Sequence, residues 1–170
     1  MKNIILVGMP GSGKSTLGII LSKKIGYGYI DSDSVIVARE GKLLPELIEQ
    51  LGNDGFLDVE AKVNGSICAS RCVISTGGSA IYRSDAIEKM KKHGVVVYLK
   101  ISYEEVERRL GDLKTRGVVL KDGFTLRDLY EERAPLYEAQ ADYIVELDNA
   151  PVETNAEKIR EAIACELAKN

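Results

Sequence analysis

The sequence predicts an α/β domain in which a parallel sheet is covered by helices on both faces, and three observations lead to this prediction. First, short apolar runs alternate along the chain with stretches of helical pattern. Second, the run Ile4–Val7 is continuously apolar, as expected of a strand that is buried on both faces. Third, the 170 residues are 45% hydrophobic and 29% charged, which suits a single globular domain spanning residues 1–170.

Five of the apolar runs are short enough to be strands, and the fourth is especially rich in β-branched residues. The predicted strands are Lys2–Val7, Tyr29–Asp31, Cys72–Ser75, Val95–Leu99 and Tyr143–Leu147. Helical stretches separate each strand from the next, so we expect neighbouring strands to be parallel.

The segments between the strands have helical patterns, and Gly26, Gly41 and Gly52 each follow a helical run as helix-ending residues. We expect Pro135 to break the seventh helix, because proline lacks the N–H that a helix interior needs. Leu113–Gly123 has a mixed composition with two glycines and is predicted to be a loop or a mobile flap. The predicted helices are Thr16–Ile25, Asp33–Glu40, Leu44–Leu51, Phe56–Ala69, Arg83–Lys92, Tyr103–Leu110, Leu126–Tyr137 and Val152–Ala168.

Composition and charge argue against several classes of function. The net charge is −3 and no block of lysine or arginine is present, which disfavours nucleic-acid and membrane-surface partners. No apolar run approaches the roughly 20 residues of a membrane span, and no signal-peptide pattern follows the first strand. Three cysteines without a CxxC spacing predict reduced thiols, and the sole histidine, His93, is expected at the surface. We expect a cytoplasmic protein, take it to be a monomer, and expect no histidine-based catalysis.

The stretch GMPGSGKST, residues 8–16, fits the phosphate-binding pattern G-x-x-x-x-G-K-[ST] in full and lies between a predicted strand and a predicted helix. Its glycines allow backbone N–H groups to converge on phosphate oxygens, and the following helix presents its positive end. Lys14 is expected to hold the β and γ phosphates as a catalytic residue, and Ser15 to offer its hydroxyl to Mg²⁺. The predicted nucleotide-binding residues of this loop are Gly11, Ser12, Gly13, Lys14, Ser15 and Thr16.

The loop alone does not say where the phosphate goes, because ATPases, GTPases, switch proteins and small-molecule kinases all share it. A glycine-rich turn that binds no ligand is a further alternative. Neither an N-K-x-D pattern for guanine nor a D-x-x-G after an apolar strand is present, which argues against a GTPase switch. The acceptor of the phosphate therefore has to be inferred from other residues.

The stretch YIDSDS places Asp31 and Asp33 at the carboxyl end of the second predicted strand, the edge at which open α/β sheets bind ligands. Alternate side chains of a strand share a face, so we expect both carboxylates to face one site. Phosphoryl transfer needs an acidic group that helps to hold Mg²⁺ and an acceptor for the proton of the attacking hydroxyl. Asp31 suits the first role and Asp33 the second. The alternative is that Asp33 or Ser34 only caps the next helix.

Four further stretches complete a family pattern: GFLDVE at 55–60, STGGS at 75–79, ERRLGDLKTR at 107–116 and ERAPLYEAQAD at 132–142. With the glycine-rich loop and the aspartate pair, they make the chain resemble the shikimate kinase family, within the nucleoside-monophosphate-kinase-like group of P-loop kinases. The resemblance implies a three-layer α/β/α fold with a five-stranded parallel sheet and a mobile lid at about residues 111–123. The implied reaction is the phosphorylation of shikimate to shikimate 3-phosphate, which uses ATP and Mg²⁺ and belongs to aromatic amino acid biosynthesis.

The resemblance also assigns roles to individual residues. It implies that Asp31 serves Mg²⁺ through water, together with the P-loop serine, and that Asp33 binds the hydroxyl groups of the acceptor. Backbone amides of Gly77 and Gly78 would bind the acceptor as well. The third place of this turn, usually a glycine, is Ser79, which we expect to narrow the pocket.

Three arginines are carried over in the same way. Arg109 matches the family's arginine beside adenine and could stack on the base, although a surface arginine on an exposed helix is the alternative. Arg116 matches the catalytic lid arginine that closes over the transferring phosphate; Gly117 follows it where the family usually has proline, so we expect a more flexible lid. Arg133 matches an arginine that pairs with the acceptor's carboxylate, which a guanidinium can hold through two parallel hydrogen bonds.

One departure from the family pattern concerns the acceptor. Shikimate kinases carry an arginine directly after the phenylalanine of the motif seen here as Phe56-Leu57-Asp58, and that arginine also holds the shikimate carboxylate. Leu57 cannot donate a hydrogen bond, Lys62 lies more than about 90° round the predicted helix, and Arg83 is a possible replacement. Two alternatives therefore stay open. One is a kinase of the same fold for another hydroxyl compound, such as a sugar acid or a hydroxy amino acid, and the other is a nucleotide-binding regulatory protein without acceptor chemistry.

Overall fold

A computed structural model of the chain describes residues 2–110 and 123–169, which form one five-stranded parallel sheet with helices on both faces. The predicted fold class and the five predicted strands are confirmed. The strands are β1 Asn3–Val7, β2 Gly28–Asp31, β3 Cys72–Ser75, β4 Gly94–Lys100 and β5 Tyr143–Glu146, in the spatial order β2-β3-β1-β4-β5.

Eight α-helices lie within the described residues, and a 3-10 turn at Ala80–Tyr82 precedes the fourth of them. The third helix joins the helix predicted before Gly52 to most of the helix predicted after it, and the φ of 69° and ψ of 175° at Gly52 break the helical geometry between them. The helices are α1 Lys14–Ile25, α2 Ser32–Glu40, α3 Leu44–Asn64, α4 Ser84–Lys91, α5 Tyr103–Leu110, α6 Leu126–Gln140, α7 Val152–Ala162 and α8 Ala164–Ala168.

Two helix boundaries differ from the prediction because of local capping. Helix α1 begins at Lys14 rather than Thr16, since Gly13 takes the left-handed conformation of its N-cap. Helix α3 ends at Asn64 rather than Ala69. The Ser66 hydroxyl donates to the Val63 carbonyl at 2.8 Å and so satisfies a carbonyl that the next turn of helix would have bonded.

The prediction that Pro135 breaks its helix is wrong, because α6 runs through this residue to Gln140. Proline removes one backbone N–H from the helix, but Leu129, Arg133 and Tyr137 are all buried along one face of α6. Tertiary packing of that face outweighs the local cost. The closing helix, predicted as one piece, is divided into α7 and α8 at the fully buried Ile163.

The sheet is buried at its centre and half-exposed at its edges. Every residue of β1 is buried, as are six of the seven in β4, whereas the edge strands β2 and β5 have only one neighbour each and are partly exposed. Parallel pairing of β1 with β3 and β4 brings the carboxyl ends of the strands to one edge. The residues that follow β1, β2 and β3 therefore lie side by side, as expected for a ligand-binding edge.

Two separate hydrophobic cores support this arrangement. The main core lies around the sheet, where α1 packs against β3 and α7, and α4 and α6 pack against β4. A smaller core joins α2 to α3 and consists of Ile36, Leu47, Phe56 and Val63. These two helices therefore pack against each other at the carboxyl edge through a core that is separate from the main one.

Several other expectations concern the surface and the lid. His93 is exposed, as predicted, and the three cysteines are free thiols. Within residues 2–110 and 123–169, no helix is both long and apolar enough to cross a membrane. Apart from Gly123, the predicted lid lies outside the described residues, as do Arg116 and Gly117.

The close packing of Gly18 in α1 against the sheet gives a first prediction. A Cβ at this position would lie 2.7 Å from both the Ser75 hydroxyl oxygen and a ring carbon of Tyr29. We expect Gly18→Ala to lower the free energy of unfolding by about 1–3 kcal/mol in urea titrations. Helix propensity alone predicts an increase of about 1 kcal/mol, so a more stable variant would contradict the packing. A double-mutant cycle with Ser75→Ala should show favourable coupling, because the smaller residue relieves one of the two overlaps.

Candidate active site

A cleft of about 490 Å³ opens at the carboxyl edge of the sheet. Its volume falls in the usual range for small-molecule sites. All of the predicted site residues in the described part of the chain line this cleft except Ser12 and Asp31. The lining residues are Pro10, Gly11, Gly13, Lys14, Ser15, Thr16, Asp33, Leu44, Phe56, Glu60, Thr76, Gly77, Gly78, Ser79, Arg109 and Arg133.

The glycine-rich loop between β1 and α1 has the backbone geometry of an anion cradle. Gly11 and Gly13 have φ values of 77° and 92°, in the left-handed region that side chains with a Cβ rarely adopt. The Ser12 N–H donates to the Met9 carbonyl at 3.1 Å, and the Ser12 side chain is fully buried inside the loop. The free N–H groups of the first turn of α1 follow directly, so this end of the cleft favours negative charge.

Lys14 lies in the cradle and is only 8% exposed. Its ammonium donates to the carbonyl oxygens of Gly8 at 2.8 Å and Met9 at 2.9 Å. Burial lowers the pKa of Lys14 to about 8, and the negative charge of Asp33 opposes this shift. Neutral carbonyl oxygens therefore hold the lysine in place, and an anion in the cradle would pair with it directly.

Asp31 contacts the cradle through Ser15. The Ser15 hydroxyl donates to Asp31 Oδ2 at 3.0 Å, and the Tyr29 hydroxyl donates to the same oxygen at 3.2 Å. The Asp31 carboxylate and the Ser15 hydroxyl therefore lie next to each other at the start of α1, where Ser15 lines the cleft.

The alternative that Asp33 or Ser34 caps α2 is wrong, because the cap is Asp31. Asp31 Oδ1 accepts hydrogen bonds from the backbone N–H groups of Asp33 at 3.0 Å and Ser34 at 3.3 Å. The expectation that both carboxylates face one site by strand alternation also fails, since Asp33 already lies in the first turn of α2. The helix turn, rather than the strand, directs Asp33 into the cleft.

Asp33 presents a buried carboxylate oxygen to the cleft. Its Oδ1 atom is buried and has no hydrogen-bond partner among the described residues. Burial raises the pKa of Asp33, and the charge of Asp31 raises it further, whereas Lys14 lowers it. A carboxylate in this state is suited to accept a proton or a hydrogen bond from a bound ligand.

The turn after β3 brings three walls of the cleft together. A Cβ on Gly77 would overlap Glu60 Oε1 and lie 3.0 Å from Asp33 Oδ1, and a Cβ on Gly78 would lie 3.1 Å from an Arg133 nitrogen. A Cβ on Gly78 would also lie 2.9 Å from the Pro10 ring, so close approach requires glycine there, whereas a side chain at Gly77 would displace the carboxyl group of Glu60. Ser79 lines the cleft, but its hydroxyl donates to Glu60 Oε2 at 2.7 Å.

Glu60 is a site residue that the sequence-based reasoning missed. Its side chain is 1% exposed, and burial raises its pKa to about 7, against the lowering effect of the Ser79 hydrogen bond. Phe56, one helical turn earlier in α3, lines the same cleft. A charged residue four positions after a core phenylalanine, on the same helix face, is the signal that could have found it.

Arg133 lines the cleft beside Gly78 and is 1% exposed. Its Nε–H donates to the Tyr82 hydroxyl at 3.0 Å, and the guanidinium lies 5.0 Å from the centre of the Tyr82 ring. The Tyr137 hydroxyl, from the next turn of α6, donates to the Gly78 carbonyl at 2.5 Å. The tyrosines therefore fix the arginine and the glycine turn relative to each other.

Arg109 lies at the rim of the cleft beside the glycine-rich loop. It donates to the Gly11 carbonyl at 3.3 Å and also contacts the Glu105 carboxylate. Its side chain is 26% exposed, so it belongs to the cleft and is not a freely solvated surface residue. Its predicted contact with adenine stays a prediction.

Leu57, the residue that departs from the expected pattern, is buried at 7% exposure but does not line the cleft. Arg83 does not line it either. Its guanidinium pairs with Asp58 at 2.9 Å and Asp54 at 3.5 Å on the exposed side of α3, so it does not complete a carboxylate clamp. Lys62 is exposed to solvent.

The comparisons with known proteins agree with one another. The family model described as "Shikimate kinase" matches residues 10–164. A shikimate kinase of Thermodesulfovibrio yellowstonii is 33% identical over 94% of this chain and 93% of its own length, and one of Pseudomonas paraeruginosa is 37% identical over 96% of both. The structure of shikimate kinase from Acinetobacter baumannii in complex with shikimate has a TM-score of 0.87 at 33% identity, over 98% of this chain and 94% of that one.

The hydrogen bonds that Asp31 accepts at the start of α2 give a second prediction. Asp31→Ala removes the cap of α2 and should lower the free energy of unfolding by about 1–2 kcal/mol. Asp31→Asn should cost less, because asparagine caps helices about as well as aspartate does. Urea unfolding of both variants measures the difference, and equal losses would show that the cap does not stabilise α2.

Proposed function

The chain belongs to the shikimate kinase family, and we propose that it transfers the γ-phosphate of ATP to a hydroxyl group of shikimate, giving ADP and shikimate 3-phosphate. One observation carries the proposal: a single cleft joins a phosphate-binding loop to a wall formed by Asp33 and the buried Arg133. ATP would bind at the loop and shikimate at the wall, so that donor and acceptor meet in one site.

The nucleotide half of the proposal rests on the loop and its helix. Backbone N–H groups would hold the phosphates, and Lys14 would turn from the Gly8 and Met9 carbonyls to the β and γ phosphates. Arg109, bonded to Gly11 at the rim, would lie against adenine. The proposed nucleotide-binding residues are Gly11, Ser12, Gly13, Lys14, Ser15, Thr16 and Arg109.

We also propose that Ser15 and Asp31 hold Mg²⁺, either directly or through water. Their oxygens are 3.0 Å apart, and Mg²⁺ is usually bound by one or two carboxylates together with substrate phosphates and water. The chemistry of this donor set therefore fits the ion. When bound, Mg²⁺ would neutralise negative charge on the phosphate oxygens.

The acceptor half consists of Arg133, Asp33 and the turn of Gly77 and Gly78. The guanidinium is buried and its orientation is fixed by Tyr82, so it would pair with the carboxylate of shikimate. The backbone amides of the two glycines would hold the hydroxyl groups of the shikimate ring close to the loop. The acceptor hydroxyl would then lie beside the unpartnered oxygen of Asp33.

In the transfer step, the acceptor oxygen forms a bond to the γ-phosphorus while the bond to the bridging oxygen of ADP breaks. Asp33 takes the proton of the attacking hydroxyl, and Lys14 stabilises the negative charge that shifts toward ADP. Arg116, outside the described residues, is proposed to close over the transferring phosphate. We further propose a monomeric cytoplasmic enzyme of aromatic amino acid biosynthesis that binds neither nucleic acid nor membrane.

A second candidate is a kinase of the same fold that acts on another hydroxyl compound, and the absence of a second arginine at Leu57 favours it. Measurement of ADP release with shikimate and with a panel of sugar acids and hydroxy amino acids tests both candidates. Shikimate should give the highest kcat/KM of the panel. Higher values for another acceptor would favour the second candidate, and ADP release that no acceptor stimulates would contradict both.

A third prediction concerns the cradle. Lys14→Ala should lower kcat/KM by about ten- to a hundredfold or more, because a buried charge-assisted contact to the phosphates is lost. Lys23→Ala, which removes an exposed lysine from the same helix, serves as the matched control and should retain activity. Activity of Lys14→Ala within a few-fold of the control would refute the assignment of the loop.

A fourth prediction separates chemistry from binding. Asp33→Asn keeps the shape of the side chain but cannot take a proton, so kcat should fall by about a hundredfold or more with little change in the KM for ATP. Asp54→Asn, at a side chain that is 93% exposed, controls for the loss of one negative charge. An unchanged kcat in Asp33→Asn would exclude Asp33 as the proton acceptor.

A further inference from the structure

Glu60 is the buried titratable group of the cleft that the proposed reaction does not use. It lies in α3 with 1% of its surface exposed, and its Oε2 atom accepts a hydrogen bond from the Ser79 hydroxyl at 2.7 Å. Its Oε1 atom is buried, has no partner among the described residues, and lies against Gly77 in the lining of the cleft. One oxygen of this carboxyl group is therefore fixed, and the other faces the acceptor half of the site.

The cations around Glu60 are engaged with other groups. Lys14 donates to the loop carbonyls, and Arg133 donates through Nε to Tyr82. Arg83, which does not line the cleft, pairs with carboxylates on the exposed side of α3. No ion pair of Glu60 occurs among residues 2–110 and 123–169. The second carboxylate on this wall is Asp33, whose Oδ1 atom approaches the same face of Gly77.

This arrangement is unfavourable for an ionised Glu60 in the presence of an acidic acceptor. A carboxylate ligand paired with Arg133 would lie beside Gly78, one residue from the contact of Glu60 with Gly77. Two carboxylates that lie close together in a buried site repel each other strongly, and a proton on either of them removes the repulsion. A neutral carboxyl group also gains an O–H donor that a carboxylate lacks.

On the basis of the proposed function, we propose that Glu60 binds the acceptor as a neutral carboxylic acid. Its Oε2 atom stays on the Ser79 hydroxyl, and its protonated Oε1 atom donates a hydrogen bond to the carboxylate of the acceptor, beside Arg133. Glu60 thereby provides the second donor that Leu57 and Arg83 do not provide. One proton is bound together with each acceptor molecule, and Glu60 becomes the residue that selects an acidic acceptor.

The surroundings of Glu60 set the direction of the pH dependence. The groups that face it are Lys14 from α1, Asp33 from α2, Ser79 from the glycine turn, and Arg133 and Tyr137 from α6. Burial has the largest effect and raises the pKa of Glu60 to about 7; Asp33 also raises it, and the hydrogen bond from Ser79 and the two cations lower it. Acceptor binding should therefore be strongest below this pKa and weaken as the pH rises above it.

Steady-state kinetics of the full chain with ATP, Mg²⁺ and shikimate between about pH 6 and pH 8.5 test this proposal. In the wild type, the KM for shikimate should rise by up to about tenfold per pH unit above the Glu60 pKa, while the KM for ATP does not follow this profile. Glu60→Gln is a permanently neutral donor of the same shape, so its KM for shikimate should be close to the low-pH wild-type value and nearly independent of pH. The matched control Glu49→Gln removes an exposed glutamate from the same helix and should keep the wild-type profile.

Calorimetry gives an independent measurement that needs no variant. Shikimate binding to the wild type near pH 7.5, in two buffers of different ionisation enthalpy, should show the uptake of a proton. A wild-type KM that does not change with pH, no proton uptake, or a folded Glu60→Gln with a KM raised more than tenfold at low pH would overturn the proposal for Glu60. The proposed function is untouched by these results. The proposed function and this proposal fail together if shikimate stimulates no ADP release at any pH.

Discussion

The parallel pairing of β1 with β3 is the constraint on which the site depends. Leu6 lies opposite Ser75 in this pairing, and the Leu6 carbonyl accepts hydrogen bonds from both the backbone N–H and the hydroxyl of Thr76. The Ser75 hydroxyl in turn donates to the Lys14 carbonyl in the first turn of α1 at 2.9 Å. These bonds fix the start of the phosphate-binding helix against the start of the Gly77 turn. The centre of the sheet therefore holds the two halves of the cleft in register.

The second property of the site is that four of its charged residues, Lys14, Asp33, Glu60 and Arg133, are largely buried and form no ion pair with one another. Lys14 is held by carbonyl oxygens and Arg133 by a tyrosine, while Asp33 and Glu60 each keep an oxygen without a partner in the described part of the chain. Burial of such groups costs free energy, which is why their pKa values shift toward the neutral forms for Lys14, Asp33 and Glu60. Ligands of complementary charge or hydrogen-bonding capacity remove part of that cost when they bind.

Local sequence signals predicted the features that local forces determine. The β1 strand, the glycine-rich loop and the helix that follows it can be predicted from hydrophobicity and backbone freedom within some twenty residues, and all three are present, although the helix begins at Lys14 rather than Thr16. Features set by contacts between distant segments could not be found in this way. Asp31 is the cap because β2 ends there, which depends on its pairing with β3. Glu60 is a cleft residue because of how α3 approaches Gly77. The same reason explains the continuity of α6 at Pro135, since its buried face is formed by other elements.

The small core between α2 and α3 has a consequence for how this fold can diversify. Phe56 belongs to that core and also lines the cleft, whereas the phosphate-binding loop is supported by the main core around the sheet. Changes among Ile36, Leu47 and Val63 can therefore shift the acceptor wall while the packing beneath the loop stays the same. Among related enzymes, this separation of the two cores allows substrate preference to change in small steps while the phosphate-binding loop keeps its structure.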